Sequence, residues 1–237
     1  MTHETAILLH AGIGTLALLL YWFGLGSRKG QTVHRRVGRS FFVAMWMVAL
    51  SVGPLLFLRA GPFDPAHVVQ FVYLAVAVMT VSTLGWTAIR WRQQPERFRG
   101  WHFRVLGPVL LLLGVVVMAG GLAGPDPVAV VLSSVGLFYG TTMIRFAWVR
   151  GPLHPTWWLN WHLNAVCGLF SAVHGTLLFV AWRSLVDPQV GPDTAAMFHL
   201  GALIASVVLR VWFGALRDVP YRFTLATEDR ATGVPQT

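Results

Sequence analysis

Apolar residues fall in seven long runs, at positions 6–25, 40–58, 68–89, 103–122, 128–149, 158–182 and 194–216. Each run is about 20 residues, and a helix rising about 1.5 Å per residue needs that length to cross a hydrocarbon core of about 30 Å. Short polar junctions rich in Gly, Pro and Asp separate them, such as Arg59-Ala60-Gly61-Pro62 and Gly124-Pro125-Asp126-Pro127. Such clusters end one helix and open the next. The pattern predicts an all-α, polytopic membrane protein, a bundle of seven transmembrane helices over residues 1–219, followed by a short polar tail over 220–237.

Charge then orients the bundle. Arg28, Lys29, Arg35, Arg36 and Arg39 follow the first run, and Arg90, Arg92, Arg97, Arg99 and Arg104 follow the third. Arg145 and Arg150 follow the fifth, and Arg217 and Arg222 the seventh. The alternate junctions hold Asp64, Asp126, Asp187 and Asp193, with only Arg59 and Arg183 nearby. Positive charge is retained on the cytoplasmic side during insertion. The expected topology has the amino terminus outside and the carboxyl terminus cytoplasmic, in a bacterial inner membrane. The first run lacks the preceding basic cluster of a cleavable signal, so an uncleaved anchor is expected.

Composition agrees and narrows the chemistry. Charged residues are 11% of the chain and hydrophobic ones 55%, against about 25% charged in water-soluble domains. The net charge of +9 comes from arginines at run ends, which points to anionic lipid headgroups and not to nucleic acid. The single lysine, Lys29, lies in a junction, which excludes a retinal Schiff base inside the bundle. Carboxylates sit outside the runs or at their rims, which argues against ion-coupled transport and against a seven-helix zinc hydrolase. The lone Cys167 excludes an internal disulfide. No nucleotide loop or nucleophile elbow is present, and the balance leans away from an enzyme. Tryptophans, among them Trp91, Trp101, Trp148, Trp157, Trp158 and Trp212, gather toward the basic ends, as expected of an interfacial belt. Gly168 with Ala172 and Ser171 with Gly175 are small pairs four apart, which predict a central sixth helix closely approached by its neighbours.

The first basic junction carries Lys29-Gly30, then His34-Arg35, then Gly38-Arg39, with His10 upstream and His162 late in the chain. In these features the chain resembles the bacterial membrane proteins of domain of unknown function 2306. The resemblance covers the multi-span layout and is specific at that junction. It implies a seven-helix fold and no settled activity.

Histidines are the reactive inventory. His34, His102 and His162 lie at the basic ends; His10, His174 and His199 lie toward the other face. His10 and His199 sit roughly 6–8 Å below that boundary, and His174 roughly 12 Å. Three imidazoles from three helices are a donor set for a transition metal or for b-type haem iron. The outer trio is therefore the first candidate site, with His34 and His162 as secondary ligands. A two-haem arrangement fits less well, because His162 and His174 are twelve residues apart and face about 120° from one another. His34, with Arg35, Arg36 and Arg39 at a helix start, also offers an anion or lipid-headgroup site.

Three readings remain open on sequence grounds. One is a haem- or metal-binding electron-transfer protein. Another is a structural or accessory protein whose histidines join helices and whose partner is a second membrane subunit or a second copy. The third is a carrier of a lipid-soluble small molecule.

Overall fold

A computed structural model describes residues 2–62 and 64–225. Among them the chain forms α1 (His3–Gly26), α2 (Thr32–Leu50), α3 (Val52–Phe57), α4 (Pro65–Arg90), α5 (Pro95–Phe98), α6 (Trp101–Ala123), α7 (Pro127–Ala147), α8 (Trp157–Leu185) and α9 (Pro192–Leu216). Taking α2 and α3 together, seven helices are long and apolar enough to cross a membrane. No β-strand is present among the described residues; one isolated bridge joins Leu153 to Thr224.

Local chemistry explains the helix limits. Asp64 and Asp126 act as N-caps, accepting hydrogen bonds from Ala66 N (3.0 Å) and from Val128 N and Ala129 N (2.9 and 3.1 Å). Each is followed by a proline at the first helical position, where a missing N–H costs nothing. The α2–α3 break falls at Ser51. Pro54 has no N–H for the carbonyl of Leu50, the last residue of α2, so the ladder stops there. The second span also begins eight residues before the expected 40, at Thr32. Arg35, Arg36 and Arg39, read as junction, lie on exposed positions of its first turns.

The helices form two rings sharing an edge. One ring is α1, α2, α4 and α8; the other is α4, α6, α7, α9 and α8, with α4 against α8 in both. The expected central position of the sixth span, α8, is thus met. A methyl group at Gly168 would collide with the Tyr139 hydroxyl of α7, and one at Gly175 with the His199 ring of α9. Glycine lets both neighbours come that close.

Burial is uneven along the bundle. At the basic end, where α1, α4, α7 and α9 finish, Phe98, Phe103, Phe146 and Trp161 are fully buried and mutually packed, with ring centroids 4.8–6.0 Å apart. Trp157 joins them against Phe98 and Phe146. The interfacial-belt expectation therefore fails for Trp157 and Trp161, which are core residues, whereas Trp101, Trp148 and Trp212 are exposed. The first residues of the expected tail do not hang free either. Phe223 stacks on Trp161 at 5.1 Å, and His154 N donates to Phe223 O. Residues 226–237 lie outside the described residues.

Candidate functional site

The Lys29-Gly30…His34 segment closes the end of α1. A helix leaves its last carbonyls without partners. Here Gly24 O accepts from Lys29 Nζ (3.0 Å), Ser27 Oγ (2.9 Å) and His34 Nδ1 (3.1 Å), while Leu25 O accepts from Lys29 Nζ (2.5 Å). Gly30 has φ +82°, a turn conformation that glycine adopts without strain. Burial, and then the nearby Arg217 charge, holds the Lys29 ammonium below its ordinary value.

His34 and His162 are alike in one respect that matters for ligand chemistry. Each donates Nδ1–H to a backbone carbonyl of another helix, His34 to Gly24 and His162 to Gly85 (3.0 Å). A carbonyl only accepts, so the neutral ring keeps its lone pair on Nε2. Phe42 walls the His162 ring at 6.2 Å and is itself 6.4 Å from Trp86.

The outer trio is arranged otherwise. His174 donates Nδ1–H to Phe170 O (2.9 Å) and receives Trp22 Nε1–H on Nε2 (2.9 Å), so both of its nitrogens are engaged. Its ring stacks on Phe170 at 3.9 Å and meets Tyr21 and Trp22 edge-on. His10 binds Ser51 at the α2–α3 break (2.7 Å). Because the Ser51 hydroxyl proton goes to Val48 O, His10 is the donor in that pair. His10 and Trp22 are twelve residues apart on α1, about 18 Å along the axis, so His174 cannot share a centre with His10. His199 packs on Gly175, one position and about 100° around α8 from His174, with Nδ1 buried and without a partner among the described residues. Among the described residues no three His, Cys, Asp or Glu side chains are grouped as metal donors. The trio forms three separate contacts instead of one site, and the equal-depth argument failed because side-chain direction and helix offset were invisible to it.

The side chains of Arg35, Arg36 and Arg39 are exposed and make no hydrogen bond among the described residues, and α2 has no side-chain N-cap. Arg145 is exposed as expected of a snorkelling residue. Arg210 is not. It is 6% exposed and reaches sideways into α8, donating Nε–H to Asn164 Oδ1 (2.5 Å) and Nη2–H to Asn160 Oδ1 (2.8 Å). Its side chain is turned inward because these two amides offer acceptors within the bundle. Asn160 and Asn164, four apart in an apolar run, were the overlooked signal: two amides on one helix face seek a partner. Tyr139 extends the network by donating to Asn164 O (2.5 Å). The engagement of Trp22 and of Ser51 had no comparable sequence signal.

Comparison with protein-family models, with curated proteins and with solved structures finds no match for this chain.

Proposed function

We propose that this is a multi-pass cytoplasmic-membrane protein that holds a b-type haem or a transition metal at its basic end through His34 and His162. The observation that carries the reading is the shared anchoring of both rings by backbone carbonyls through Nδ1. A metal-ligating histidine commonly donates its other ring N–H to a carbonyl or carboxylate, which fixes its orientation and leaves Nε2 as the donor atom. The two helices concerned, α2 and α8, belong to the same four-helix ring. Lys29 shares the Gly24 carbonyl with His34 and brings positive charge of the kind that haem propionates require. A bound haem would supply one-electron transfer; the chain's part is to orient the ligands and exclude water. The basic end faces the cytoplasm in this reading, by the arginine asymmetry of the junctions.

The test is an absorption spectrum and elemental analysis of the purified protein, repeated on His34→Ala, His162→Ala and His174→Ala. A haem band or bound metal that disappears in the first two variants and persists in the third is expected. A colourless, metal-free preparation overturns the proposal. A specific observation favours the accessory reading as the second choice. The His174–Trp22 and His10–Ser51 bonds join separate helix segments and leave His174 no free nitrogen, as helix-joining histidines should.

A further inference from the structure

Arg210 combines three properties that rarely coexist. Its side chain is buried, the acceptors it binds are neutral amides, and neither ion pair among the described residues includes it. A guanidinium cannot shed its proton in a protein, so burial does not neutralise it. Taking such a charge out of water costs several kcal/mol unless an opposite charge is close. The carboxyl end of α9 and the Tyr221 ring, 4.5 Å from Cζ, offset part of that cost. They do not supply an anion.

The unused donor shows where an anion would bind. Among the described residues, Nη1 is buried without a hydrogen-bond partner. It lies against Gly214, so closely that a methyl group there would strike it. Gly214 also lines a cleft of about 470 Å³ with Val219, Pro220, Tyr221 and Asp218. The chain that follows α9 forms one wall of the cleft. That chain is held by Asn160 Nδ2 donating to Pro220 O (2.8 Å) and by the Phe223 stack on Trp161. Arg210 thus has Nε and Nη2 satisfied by α8, while Nη1 lies against Gly214, a residue of the cleft wall. Asp218 lines the same cleft.

We infer that Arg210 and the strap after α9 form an anion site that takes a phosphate or carboxylate group at the basic end of the bundle. A guanidinium N–H forms a charge-assisted hydrogen bond with an oxygen of either group. The inference is independent of the histidine reading, because Arg210 lies in the other ring of helices.

The experiment uses the full-length protein, stripped of lipid in a zwitterionic detergent. Thermal unfolding is followed with phosphatidylglycerol, with phosphatidylcholine and with inorganic phosphate. Phosphatidylglycerol should raise the melting temperature where phosphatidylcholine does not. Stabilisation by inorganic phosphate alone would identify a free anion as the source instead of a lipid. No anion-specific stabilisation of the wild-type protein overturns the inference, and this arm needs no variant to fold. In Arg210→Gln the anion's apparent affinity should fall by at least about tenfold, the effect of losing one charge-assisted pair. Arg145→Gln, which removes the same charge from an exposed position, should keep it. Equal losses in both variants would show a general surface effect and also overturn the site.

Discussion

The two rings that share α4 and α8 solve the burial of polar groups in opposite ways. The ring of α1, α2, α4 and α8 contains rings that are neutral when buried: His34, His162 and His174, each with Nδ1 on a backbone carbonyl. The ring of α4, α6, α7, α9 and α8 contains a permanent cation, Arg210, supported by Asn160, Asn164 and, through the Asn164 carbonyl, Tyr139. A neutral imidazole needs one partner to be satisfied and can keep a lone pair for a ligand. A guanidinium has five donors and a charge, and two hydrogen-bonding side chains leave one nitrogen unpaired among the described residues. The first ring leaves a lone pair on the Nε2 of His34 and His162; the second leaves a guanidinium nitrogen without a partner among the described residues.

The largest effect that separates the rings should come from the aromatic plug of the second. Trp161 is fully buried and touches Phe98, Phe103, Phe146 and Phe223. Trp161→Ala should destabilise the protein by about 3–5 kcal/mol, read by equilibrium unfolding in detergent. Trp182→Ala, at a position 41% exposed on the same helix, should cost under about 1 kcal/mol. Similar costs at the two sites would remove the distinction between a packed basic end and a thin opposite end.

Next in size is the contrast between the two α8 histidines. His174→Ala breaks two hydrogen bonds and orphans Trp22, and about 1–3 kcal/mol of stability should be lost while any bound cofactor is kept. Trp22→Phe should reproduce part of that loss, about 0.6–1.5 kcal/mol, because it removes only the donor. His162→Ala breaks one bond to a carbonyl and should cost about 1 kcal/mol while abolishing the cofactor signal. If His174→Ala abolished the signal and His162→Ala spared it, the assignment of roles would be reversed.

The smallest effect concerns the rim. Glu96 is hydrogen-bonded to Arg99, which holds its carboxyl below the ordinary carboxylate value. A depressed folded value means that the stabilisation is present above the ordinary range and fades as pH falls through the lowered one. Because Glu96 is exposed, Glu96→Gln should change stability at neutral pH by no more than about 0.5 kcal/mol. The difference between variant and wild type should shrink further under acid.

Much of the architecture was legible without coordinates. The seven runs match the seven spans to within a few residues, apart from the early start at Thr32. That exception is instructive: hydropathy marks where a helix is apolar, whereas α2 continues for two turns beyond the apolar part with its arginines outward. Close approach at Gly168 and Gly175 was also legible, since a missing side chain has the same consequence in any neighbourhood. The candidate site was legible only as an inventory. His10, His174 and His199 were grouped by depth, yet Ser51, Trp22 and Gly175 hold them on separate contacts.

Spanning segments could be read from composition because transfer from water to hydrocarbon is nearly a sum over the residues of one segment, and charge at a junction is likewise a local count. A free nitrogen or an unpaired guanidinium arm depends on partners far away in the chain. Trp22 lies 152 residues from His174, and Asn160 lies 50 from Arg210. Hydrogen bonds are short and directional, so a shift of one helix turn makes or breaks them while leaving every hydropathy sum unchanged. Only the packing of α1, α8 and α9 decided which polar atoms remain open to a ligand.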